Sequence, residues 1–162
     1  MSRRAVGIAD MRTGGPGEVL LVIGLGSCVA IAIRDRVRLR GSLSHIMLPN
    51  QSDGVRRAGE NMHKYADVAV PEAVRALELI GCRREDMDAK IAGGASIFEL
   101  GRSADGTDIG SRNVAAVIRA LAEQNVALQA SDVGGREGRT VEFSIDSGEL
   151  AVKTARGARR VL

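Results

Sequence analysis

Tryptophan is missing from this sequence of 162 residues, and the remaining aromatics are two phenylalanines and one tyrosine. A core must therefore be built from Val, Ile, Leu and Ala, which suits a tightly layered α/β or α+β protein. The same scarcity removes the stacking platforms that grip single-stranded nucleic acid. The balance of 23 Lys+Arg against 20 Asp+Glu leaves a formal charge of +3, too small a field to draw in a polyanion. No nucleic-acid partner is expected. No apolar run approaches the ~20 residues that span a bilayer, and Met1-Ser2-Arg3-Arg4 runs into Gly7 and Asp10 rather than a signal-peptide core. The expectation is a cytoplasmic protein without a transmembrane segment. Its two cysteines, Cys28 and Cys82, stand 54 positions apart with no export signal, so free thiols are expected rather than a structural disulfide. Two Cys and two His without C-x-x-C or H-x-x-x-H spacing do not make a metal-ligand set.

A chain of this length buries enough surface for one domain, 1–162, to hold a core without cross-links or metals. Residues 5–9 read as a short strand, and Thr13-Gly14-Gly15-Pro16-Gly17 as a loop. Residues 19–23 are a continuous apolar run suited to a buried strand, interrupted by Gly24-Leu25-Gly26-Ser27-Cys28. Residues 29–33 and 39–48 then predict two strands of a hairpin turning at Asp35-Arg36-Val37-Arg38. Residues 65–80 carry Ala, Val and Leu at helical spacing with Gly81 as a stop, and Pro71 restricts the expected helix to about Glu72 to Ile80. A second helix, 109–124, places Val114, Val117, Ile118 and Leu121 on one face. Short strands are expected at 90–92, 126–130, 140–145 and 150–154, and the basic tail Arg156-Gly157-Ala158-Arg159-Arg160 reads as a solvated terminus. Strands cluster before and after two central helices, a pattern closer to α+β than to regular βαβ alternation, which predicts a mixed sheet with its helices on one side.

Acyl transfer needs a nucleophile, a base within reach and donors for the developing oxyanion. Cys28 is the candidate nucleophile, because a thiolate is strongly nucleophilic and a nearby imidazole promotes its formation. His45 is the candidate base: it lies 17 positions on, far along the second strand of the hairpin whose first strand Cys28 opens. Main-chain N–H groups around Gly26 and Ser27 are candidate oxyanion donors, since small residues leave them uncovered. Each residue also has a structural reading. A cysteine in an apolar run can be a small core residue, and a strand histidine a satisfied core or surface one. His63 in a polar stretch reads as exposed, and Cys82 at a helix end as structural.

Six ordered motifs go further. Gly24-Leu25-Gly26-Ser27-Cys28-Val29 and His45-Ile46-Met47-Leu48-Pro49 are followed by Lys64-Tyr65-Ala66-Asp67 and Lys90-Ile91-Ala92-Gly93-Gly94-Ala95. Ile109-Gly110-Ser111-Arg112-Asn113 and Asp132-Val133-Gly134-Gly135 complete the set. Together they span nearly the whole chain and resemble the CheD chemoreceptor glutamine deamidases. The resemblance implies a layered α/β/β sandwich similar to the deamidating toxins, and hydrolysis of receptor glutamine side chains by Cys28 and His45 through a thioester. It implies no metal or organic cofactor. The implied partners are methyl-accepting chemotaxis receptors and a CheC-type phosphatase, with Phe98 matching a position associated with that phosphatase contact.

One departure stands out. The family pattern usually has a threonine six positions before the nucleophile, orienting the histidine, where this chain has Val22. Valine offers no hydrogen bond. The expectation is lower activity, or a substitute partner for His45 from a main-chain carbonyl, Ser44 or Ser27. The competing reading is a weakly active or inactive homologue that regulates by holding the phosphatase or a receptor. A further reading, another cysteine hydrolase such as an esterase or peptidase, shares the residues but not the motifs.

Overall fold

The computed structural model describes residues 1–55, 57–97 and 107–162. In chain order its strands are β1 (Ser2–Ala5), β2 (Met11–Gly14), β3 (Glu18–Leu25), β4 (Val29–Asp35) and β5 (Arg40–Ile46). Helix α1 (Ala66–Leu79), β6 (Met87–Gly93) and α2 (Ile109–Glu123) follow, then β7 (Ala127–Val133), β8 (Arg139–Ser144), β9 (Leu150–Thr154) and β10 (Arg159–Val161). They form two mixed sheets, β1-β3-β8-β9-β10 and β2-β5-β4-β6-β7, in which β1–β3 and β6–β7 run parallel. Both helices cover the second sheet, so the fold is an α/β/β sandwich, as the resemblance implies. No helix among the described residues is long and apolar enough to cross a membrane.

Strand β4 is the spine of this arrangement. Val29, Ile31 and Ile33 join the core shared with α1 and α2, whereas Ala30 and Ala32 face the other sheet with Leu20, Val22, Leu25 and Phe143. Burial on both faces explains why its sequence is a continuous apolar run rather than an alternating one. Each large aliphatic or aromatic side chain sealed in these layers contributes roughly 1.5–3 kcal/mol relative to exposure.

Several elements differ from the sequence expectation. The first strand ends at Ala5 because the chain turns through Ala9, whose φ is 59°, and crosses to the other sheet. There β2 pairs with β5 in a segment whose glycines read as loop. Helix α1 starts at Ala66, before Pro71. The proline removes one donor in the second turn, and burial of Ala66, Ala69, Val70, Ala73, Val74 and Leu77 holds the helix across it. Helix α2 is rotated from the expected face: Ile118 is exposed, and Asn113, Ala116 and Ala120 point inward with Val117 and Leu121. Small inward side chains let the helix lie close to the sheet. The basic tail is strand β10, paired antiparallel with β9, and beyond it Leu162 tucks against the intersheet core while Lys90 Nζ donates to its carbonyl at 2.8 Å.

Candidate active site

The β4/β5 hairpin pairs Val29 with Ile46 and Ala30 with His45. Strand alternation puts His45 on the face of Ala30, toward the other sheet. Cys28, one residue before β4, alternates to that same face and packs against the intersheet core. Cys28 and His45 are thus set on one face at the open end of the hairpin.

The segment carrying Cys28 is held from three sides. The Gly94 amide donates to the Cys28 carbonyl at 2.8 Å, and the Ala95 amide to the Gly26 carbonyl at 2.9 Å. At Gly93, φ is 121° and a Cβ would come 2.2 Å from the Cys28 carbonyl oxygen, so only glycine permits this approach. Helix α2 presses onto the next two residues: a Cβ on Gly110 would lie 2.5 Å from the Gly94 carbonyl oxygen and 2.7 Å from that of Ala95. One turn further along α2, the buried Asn113 donates from Nδ2 to the Ser27 carbonyl at 2.9 Å and to the Met47 carbonyl at 3.0 Å. Asp108 caps the helix by accepting from the Ser111 amide at 2.8 Å.

A cavity of about 200 Å³ opens here, lined by Gly26, Ser27, Cys28, Ala95, Ile97 and Asp108 among others. The thiol is half-buried in its wall; His45, 3% exposed, lies beneath rather than in the lining. The main-chain amides of Gly26, Ser27 and Cys28 donate to no other main-chain group among the described residues. Burial pushes the Cys28 thiol above its ordinary value, opposed by its own amide. Burial also pushes the His45 imidazole down, opposed by the main-chain carbonyl of Val6. The resting pair at neutral pH is thus a thiol and a neutral imidazole. Neither ring nitrogen of His45 has a hydrogen-bond partner among the described residues, so no hydrogen bond joins the ring to the thiol at rest. A thiol at a cavity wall, an imidazole on the same face and amides without main-chain acceptors among the described residues are the kinds of groups that acyl transfer uses.

Other residues singled out from sequence fall as follows. Val22 is fully buried on the inward face of β3, opposite Val141, in the intersheet core against which Cys28 packs. Ser44 pairs with Ile31 and so faces the helices, which removes it as a partner for His45. The Val6 carbonyl opposes the effect of burial on the ring but makes no hydrogen bond to either ring nitrogen. Phe98 lies outside the described residues. His63 sits at the surface 2.8 Å from Glu72, and Cys82 is buried. Sequence reasoning quoted Asn113 within a motif but gave it no role. The available signal was a polar residue on the face that α2 turns to the core.

Comparison with known proteins adds the family. The family model described as CheD chemotactic sensory transduction matches residues 47–154, beginning just past His45. A relative from Clostridium kluyveri, named "Probable chemoreceptor glutamine deamidase CheD", is 44% identical over 149 residues, covering 92% of this chain and 91% of its own length. A relative of the same name from Clostridium botulinum is 41% identical over 149 residues, with the same coverage of both chains. On this footing, with two thirds of the chain matched by the model and nearly all of it by the relatives, the chain belongs to the CheD family.

Proposed function

We propose that this chain deamidates glutamine side chains of methyl-accepting chemotaxis receptors in the cytoplasm, leaving glutamate on the receptor and releasing ammonia. His45 takes the thiol proton as Cys28 Sγ attacks the amide carbon, and the amides of Gly26, Ser27 and Cys28 receive the oxyanion. As the C–N bond breaks, His45 returns that proton to the leaving nitrogen, which departs as ammonia. A water then gives its proton to His45 and its oxygen to the thioester carbon; the C–S bond breaks, and the thiolate recovers the proton from His45. No metal or cofactor enters the scheme. The names of the relatives supply the substrate class. The observation that supports the chemistry is Cys28 in the wall of a cavity with His45 on the same face of the hairpin. A CheC-type phosphatase is the second proposed partner, on the family resemblance alone.

A second reading is a weakly catalytic regulator that holds its partners. It draws on Val22 and on the unpartnered ring of His45. Incubation with purified receptor separates the two readings. Deamidation gives ammonia and a mass gain of about one dalton per modified glutamine, and Cys28→Ala gives neither. Binding without ammonia would favour the regulator, and unchanged release by Cys28→Ala would remove the thiol from the mechanism.

A further inference from the structure

Asn113 is the one fully buried amide side chain among the described residues, and it donates to the carbonyls of Ser27 and Met47, just beyond the two strands of the hairpin. The β4/β5 ladder ends at Val29 and Ile46. Just beyond it, β5 leaves the sheet as the amides of Met47 and Leu48 turn to the Lys64 carbonyl, each at 2.9 Å. The carbonyls of Ser27 and Met47 converge where the ladder no longer ties the strands together, and Nδ2 of Asn113 serves both. Its Oδ1 is buried with no partner among the described residues. The side chain thus acts here through its donors, which join two carbonyls that nothing else in the ladder ties together. The close seat of Gly110 on Gly94 and Ala95 fixes the height of α2 over this junction.

We propose that Asn113 is a positioning residue for the deamidation reaction: its amide replaces the missing rung of the hairpin and holds the segment bearing the Cys28 thiol in register with the strand bearing His45. This rests on the Cys28/His45 reading above. Without the rung, the segment from Gly26 to Cys28 shifts against β5, and transfer of the thiol proton to the ring slows while the substrate cavity persists.

The test is a double-mutant cycle on the full chain, using the rate at which iodoacetamide alkylates Cys28, read from the mass of its peptide. His45→Ala is expected to slow alkylation about 10-fold or more, consistent with loss of a general base. Asn113→Ala should slow it several-fold and lower kcat with KM within twofold. In the His45→Ala background, Asn113→Ala should change alkylation by less than twofold, because there is no longer a ring to be held in register. Asn113→Ser, which keeps one donor, should recover part of the loss, and it carries the test if the alanine variant fails to fold. Losses that add in full on the His45→Ala background, or folded Asn113 variants with unaltered kcat and alkylation, would overturn the role of Asn113 alone. An unchanged alkylation rate in His45→Ala would overturn the Cys28/His45 reading beneath it.

Discussion

The two ends of the β4/β5 hairpin treat buried polar groups in opposite ways. At the turn, Asp35 is fully buried and accepts from the amides of Val37, Arg38 and Arg83 and from the Arg38 guanidinium. Burial alone would raise its carboxyl, but these bonds outweigh burial and hold it at about 2. At the open end, both nitrogens of His45 and Oδ1 of Asn113 are buried without partners among the described residues, and the amides of residues 26–28 donate to no main-chain acceptor among them. Native proteins leave few such groups, and each costs stability. The turn of the hairpin thus carries a saturated carboxylate that serves the fold, whereas its other end, like the Oγ atoms of Ser42 and Ser44 along β5, keeps buried polar groups without partners among the described residues.

Substitutions at the two ends should therefore separate activity from stability. The largest effect belongs to the open end: His45→Ala should lower kcat/KM by about 10²–10⁴-fold, the range for a lost general base, with little change in unfolding midpoint. Receptor deamidation assays beside thermal unfolding check this, and a large stability loss with unchanged activity per folded molecule would reverse the comparison. At the saturated end, Asp35→Ala should cost at least ~2 kcal/mol in denaturant unfolding, the worth of its displaced pKa, with kcat unchanged. Because the folded value is depressed, this contribution is present above about pH 4 and fades as pH falls toward 2.

A smaller effect is expected in the acid limb of the rate profile. Burial favours neutral His45, which is the form that accepts a proton, so kcat/KM should hold down to pH values below the ~6.5 of an ordinary histidine before falling. A limb above that value would mean that the ring is stabilised in its charged form. The smallest effect concerns Val22. A threonine hydroxyl in place of Val22 is neutral, so Val22→Thr should raise kcat by no more than about threefold, far less than a buried carboxylate supplies to a hydrolase triad. A gain of tenfold or more would show that His45 lacks an orienting group that the hydroxyl supplies.

What the sequence made legible follows the same division. Residues 29–33 and the hairpin were readable because β4 is buried on both faces and its turn is polar, so composition and structure agree locally. The order of strands and helices pointed to a mixed sheet with its helices on one side; the division of the strands into two sheets came from the family resemblance. Strand β2 was not readable, since its existence depends on pairing with β5 rather than on its own Met-Arg-Thr-Gly residues. The start of α1 was obscured by Pro71, whose local cost is offset by packing that sequence alone does not display. At the site, Cys28 and His45 carried a chemical signature, whereas the Val6 carbonyl did not, because a main-chain group has no residue type to betray it. Asn113 fell between these cases, polar on an inward face but silent about its two acceptors.

The proposed mechanism joins Cys28 covalently to the receptor's glutamine side chain. Running the deamidation in hydroxylamine probes that bond, because a thioester is intercepted before water reaches it. A hydroxamate is expected at the target glutamine with the native chain and none with Cys28→Ala. Glutamate forming at full rate with no hydroxamate at saturating hydroxylamine would contradict it.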